Sequence, residues 1–140
     1  MNPRSGEAGS ATLEALVLAP ALIAVLALAI AAGRVGLARA AVEAAARDAA
    51  RQASIARTPA QANTAALSSA TSSLHEQGLG CTPQVRVEVA GLTRPVGTAA
   101  TTSAEVSCQL ALSDLGLPLP AAITLRARAL SPVDPLRGDP

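Results

Sequence analysis

The chain has 140 residues, with 11 arginines, no lysine, 10 acidic residues, one histidine, two cysteines and no Phe, Tyr or Trp. A formal charge of +1 and the lack of aromatic rings for base stacking exclude nucleic-acid recognition, and the length allows one small domain at most. Alanine, about a quarter of the residues, biases the chain towards helix but leaves little volume for a core, so support is expected from a membrane, a disulfide or neighbouring copies.

A polar leader, residues 1–9, precedes the first predicted element. Between Glu14 and Arg34 no residue is charged, and Ala15 to Gly33 is a run of 19 residues built mostly of Ala, Leu, Val and Ile. At about 1.5 Å per residue the run covers roughly 28 Å, enough to cross the hydrocarbon layer of a bilayer. A secretory signal peptide is the competing reading, because Ala27-Leu28-Ala29 and Ala29-Ile30-Ala31 offer small-x-small cleavage sites. Against it, the run exceeds an ordinary signal core and helical character continues past its end. Pro20 within the run reads as a tolerated kink of a membrane helix.

The charges and the cysteines disagree about orientation. Arg4 is the only cation before the run, whereas Arg34, Arg39, Arg47 and Arg51 follow it closely, and by the positive-inside rule the C-terminal part would stay in the cytoplasm. Cys81 and Cys108, a single pair in a small and poorly filled domain, point instead to an oxidising compartment. With only His75 as a further candidate ligand, the pair has no metal-site spacing. We expect a Cys81–Cys108 disulfide, a cytoplasmic N-terminus and an extracytoplasmic region after the run.

From Arg34 to Arg57 the helix is expected to continue as an amphipathic extension. Arg39, Glu43, Arg47 and Arg51 recur every fourth residue, so Glu43 can pair with either arginine beside it. Val35, Val42, Ala46, Ala49 and Ala53 share a shallow apolar face. Thr58-Pro59 ends the helix. Residues 58–80 form a connector in which Ala60 to Gln77 is either a second helix or a partly ordered segment, closed by Gly78 and Gly80.

After Cys81 the period changes to two. Val85, Val87 and Val89 alternate with polar residues, then Ala104, Val106, Cys108, Leu110 and Leu112, then Ile123, Leu125, Ala127 and Ala129, which predicts three half-buried strands within residues 81–130. If the first two form an antiparallel hairpin turning near Arg94-Pro95 and the cysteines face each other, Val85 lies opposite Ala104 and Pro83 opposite Val106. The apolar faces then coincide, although other registers of the same parity satisfy this test. Residues 131–140 read as a flexible tail.

The informative motif is Gly9-Ser10-Ala11-Thr12-Leu13-Glu14, where the leader meets the apolar run. An acid at the start of a membrane helix is costly and calls for a partner. A cut after Gly9 would give Ser10 a free amine, four residues from Glu14 on one helix or on a neighbouring subunit, and the pair would fix the register of helices packed side by side.

At these residues the chain resembles the class III signal of type IV prepilins, in which a prepilin peptidase cuts after Gly and Glu stands at the fifth mature position. With Glu14-Ala15-Leu16-Val17-Leu18-Ala19-Pro20, Gly33-Arg34 and the stretch from Ala38 to Arg51, the likeness extends over about residues 4–57 to TadE-like pseudopilins of the tight-adherence (Flp) pilus system. Ser10 stands where major pilins carry Phe, and Ala15 where this family often carries an aromatic, which points away from a major pilin. The resemblance implies a minor pseudopilin with the membrane, prepilin peptidase, other pilins or pseudopilins and pilus assembly proteins as partners.

Other chemistry is thin. His75-Glu76 lies on a polar stretch without a nucleophile at a defined spacing, and Arg137-Gly138-Asp139 matches an adhesion tripeptide that arises easily by chance. No phosphate loop, paired catalytic acids or free thiol is present, so we expect a non-enzyme without cofactor or small-molecule substrate. The expected fold is α+β and pilin-like: a membrane-spanning and amphipathic helix over residues 10–57, a connector, and a three-stranded antiparallel sheet with one disulfide. Arg34, Arg39, Glu43, Arg47 and Arg51 are candidate partner contacts. The alternative is a secreted or single-pass membrane-anchored binding domain with no role in a fibre.

Overall fold

The computed structural model describes the backbone of residues 8–136, with side chains from Leu16 onward. The order is α1 (Ala8–Ile55), α2 (Pro59–Glu76), β1 (Gln84–Glu88), β2 (Ala100–Ala111) and β3 (Ala122–Val133), with 3-10 turns at Ala90–Thr93 and Leu112–Leu115. The chain divides into two compact units, Met1–Arg34 and Val35–Pro140. In the first, α1 runs through Pro20, whose missing N–H removes one helical hydrogen bond. Its large apolar side chains from Leu16 on, among them Val17, Leu22, Ile23, Leu26 and Leu28, are all exposed.

The second unit has two layers. The three strands form one antiparallel sheet in the order β1-β2-β3, as the alternation predicted, and α1 and α2 contribute to a single core with one face of it. Alanine dominates that core: Ala38, Ala45, Ala46, Ala49, Ala50 and Ala53 of α1 and Ala62, Ala66 and Ala70 of α2 are all buried. At about 100° per residue the buried positions of α1 from Ala38 to Ala53 cover roughly half its circumference. This arc is wider than the face read from sequence, because α1 meets both α2 and the sheet. Ser73 Oγ of α2 donates to Asp48 Oδ2 at 3.0 Å, and Ser131 Oγ of β3 donates to Ser54 Oγ at 3.0 Å.

The helix ends follow local chemistry. Thr58 is the N-cap of α2, its Oγ1 accepting the Gln61 N–H at 3.2 Å, with Pro59 just inside the helix where a missing N–H costs nothing. Gly78, at φ 75°, takes the left-handed turn that ends α2. The disputed segment after Pro59 is therefore an ordered helix of 18 residues.

The disulfide Cys81–Cys108 is present, but the expected register is displaced by two residues. Val85 pairs with Val106, and Val87 with Ala104. Pro83 is buried ahead of β1 and has no N–H for a ladder, so pairing starts at Gln84 and the bridge lies beyond it. A shift by two keeps the pleat in phase, which is why the apolar faces still coincide. A second difference lies at the end of β3, which continues to Val133, so Ser131–Val133 belong to the sheet rather than to a tail. Residues 137–140, including the Arg137-Gly138-Asp139 tripeptide, lie outside the described residues.

Candidate functional site

The residues singled out by sequence fall into three groups. The backbone of Gly9, Ser10 and Glu14 lies within α1, and the side chains of Ser10 and Glu14 lie outside the described residues. The apolar part of α1 that follows is long and apolar enough to cross a membrane, by length and composition, with a mean hydropathy of 2.6 over its most apolar window. Pro20 is exposed within it.

The second group is the charged stripe. Arg34, Arg39, Glu43, Arg47 and Arg51 are all exposed on α1, but Glu43 forms no ion pair with its arginine neighbours. Successive fourth residues drift about 40° around a helix, so the stripe winds round the side opposite the alanine face. Asp48, absent from the predicted stripe, makes the interhelix contact to Ser73, which also accepts from Gln77 Nε2 at 3.3 Å. The third group, Cys81 and Cys108, ties the segment after α2 to the central strand, with Cys108 buried and Cys81 partly so.

The solvent face of the sheet is polar. Cross-strand pairing aligns Arg86, Glu105 and Arg128 in one row, and Arg128 is held by two hydrogen bonds from its guanidinium to Ser103 Oγ, at 2.9 and 3.2 Å. His75 lies in the last turn of α2 and is exposed.

Sequence reasoning missed a cleft of about 800 Å³ at the end of the second unit where α1 stops. It is assembled from the α1–α2 turn, the loop after β1 and the end of β3, and its walls include Ile55, Arg57, Arg94, Val96, Pro132 and Asp134. Gly97 N–H donates to the carbonyl of Pro135 at 2.8 Å and Asp134 Oδ1 accepts the Leu136 N–H at 2.8 Å, which fixes the loop against the chain leaving β3. In sequence these residues read separately as a helix end, a hairpin turn and a flexible tail, because their segments are far apart along the chain.

Together, a long N-terminal apolar helix, a three-stranded antiparallel sheet and one disulfide define an α+β protein. The family model described as TadE-like protein matches residues 9–51, so the resemblance read from the motif holds for this segment and points to the tight-adherence pilus system. No curated protein and no solved structure matches the chain significantly.

Proposed function

We propose that the chain is a minor pseudopilin that assists assembly of a tight-adherence (Flp) pilus or a related secretion machine, and that it acts without catalysis. The observation that carries this reading is the TadE-like match, which begins at Gly9 and ends at Arg51, covering the proposed cleavage point, the apolar run and the start of the amphipathic extension. Prepilin peptidase removes residues 1–9, the apolar run anchors the mature chain, and the disulfide-bonded unit faces the oxidising side. Its partners are other pilins or pseudopilins and the assembly proteins, with Arg34 and the stripe from Arg39 to Arg51 among the contacts.

The chemistry of the new terminus supports the same reading. Ser10 and Glu14 are one helical turn apart in α1, and a carboxylate and an ammonium at 4 Å attract by about 4 kcal/mol at an effective dielectric near 20. That offsets much of the cost of keeping both near hydrocarbon. N-terminal sequencing of the native membrane-bound protein tests the proposal and should begin at Ser10. A functional chain that retains residues 1–9 refutes it. Glu14→Ala should leave membrane insertion intact and reduce the number of fibres, counted by electron microscopy, and normal fibre counts would rule out the pairing mechanism.

A further inference from the structure

The cleft at the end of α1 combines two features that the pseudopilin reading does not use. Arg57 and Arg94 are exposed, line the same cavity, and have no hydrogen bond or ion pair with the protein among the described residues. Asp134, the acid that shares the cavity with them, already has one carboxylate oxygen engaged by the Leu136 N–H. The site therefore holds more positive than negative charge, with both guanidinium forks uncommitted, and such forks match carboxylates in bidentate geometry.

The walls are apolar and restrained. Ile55 and Val96 line the cleft with 69% and 51% of their surface exposed, so a cavity in the size range of ligand sites offers apolar surface that a bound segment can cover. Pro59, Pro95 and Pro132 stiffen its rim, so little entropy is lost there on binding. Without aromatic side chains the cleft has no stacking platform for bases or sugars. Its apolar walls and paired cations fit instead a peptide that alternates aliphatic and acidic residues.

We propose that this cleft is a docking site for an extended acidic segment of a partner protein, whose carboxylates meet Arg57 and Arg94 while its aliphatic side chains cover Ile55 and Val96. Its lining residues belong to neither the apolar run nor the charged stripe of α1, and its occupation does not depend on cleavage after Gly9.

The test uses the full chain in lipid nanodiscs and two fluorescein-labelled peptides, Ala-Leu-Asp-Glu-Leu-Pro and its neutral counterpart Ala-Leu-Asn-Gln-Leu-Pro, followed by fluorescence anisotropy at low and high salt. The acidic peptide should bind at least about tenfold more tightly than the neutral one. Its affinity should fall by about tenfold or more in the Arg57→Ala/Arg94→Ala variant, be largely kept by Arg57→Lys/Arg94→Lys, and be unchanged by Arg86→Ala/Arg126→Ala on the exposed face of the sheet. Thermal unfolding of each variant shows that the fold is intact. Equal binding of the two peptides, no binding at millimolar concentration, or an unchanged affinity after removal of both arginines overturns the proposal. Because binding is read on the isolated protein, a strain that lacks this protein and still makes normal fibres would count against the pseudopilin reading and leave this result standing.

Discussion

Gly91 is where the loop after β1 passes the start of β2, and replacing it by alanine tests how tightly that crossing holds the cleft. A Cβ at this position would lie 2.2 Å from the carbonyl oxygen of Thr101, 2.8 Å from its carbon and 3.3 Å from its nitrogen. All three atoms are backbone, so no side-chain rotation relieves the clash, and ordinary contact requires a shift of about 1 Å. Next to Thr101, the buried Thr102 donates from Oγ1 to the Glu88 carbonyl at 2.6 Å, and Ala100 is paired with Val133. Moving the start of β2 therefore strains both strand pairings. Overpacking against a fixed backbone costs about 3 kcal/mol, the upper part of the usual range. For a domain of about 100 residues this lowers Tm by about 12 °C or more. The assay is thermal unfolding followed by circular dichroism, with hydrogen exchange at residues 100–103 locating the loosened segment. Gly80→Ala is the internal control, since a Cβ there meets nothing within 4 Å and φ is not positive; it should leave Tm unchanged or slightly raised. If Gly91→Ala unfolds at the wild-type temperature, the close approach of loop and strand is wrong.

Two further perturbations address what replaces a large-residue core. Breaking the Cys81–Cys108 bridge with paired alanines frees a loop of sequence separation 27, which costs about 3.5 kcal/mol in the chain-entropy model; the urea midpoint should fall accordingly, and an unchanged midpoint would show that the bridge does not constrain the unfolded chain. Ala49→Leu, at a site with no exposed surface, should destabilise by about 1–3 kcal/mol in the same measurement, whereas Ala40→Leu on the exposed side of α1 should fall within about 0.5 kcal/mol of wild type.

How far these features could be read in advance depended on whether a pattern was local. The long helix and the three strands rest on runs of one period, and the apolar faces of β1 and β2 were correctly matched because parity survives a slip by two. The register itself was not legible, because it was inferred from a bridge that lies outside the ladder and Pro83 delays the first pair to Gln84. The end of β3 was hidden by polar and breaker residues: Ser131 turns inward to reach Ser54, and Pro132 is tolerated on an edge strand. Asp48 read as one more surface charge because its partner, Ser73, is 25 residues away. The cleft left no local trace, since two turns and the end of a strand build it, and in sequence these read as ordinary chain reversals and a flexible tail.

The alanine content that seemed a weakness has a structural use. A core of aromatic and branched residues holds helices and sheets apart at distances set by large side chains. Here α1 buries seven alanines and Val42 between Ala38 and Ala53 with none more than 4% exposed, so the hydrophobic contribution per residue is small. Stability must then come from constraints on the chain, which is the role of the Cys81–Cys108 bridge, the Asp48–Ser73 contact and the close crossing at Gly91. The same economy lets one continuous helix carry two patterns. From Leu16 to Gly33 its large apolar side chains point in all directions and are exposed, as a lipid environment requires, and from Ala38 onward about half of its circumference is buried, as a protein layer requires. The change occurs at Arg34, where the charge-free run stops. Arg57 and Arg94, with no hydrogen bond or ion pair among the described residues, lie just past the end of that helix, where its buried face gives way to an exposed cleft.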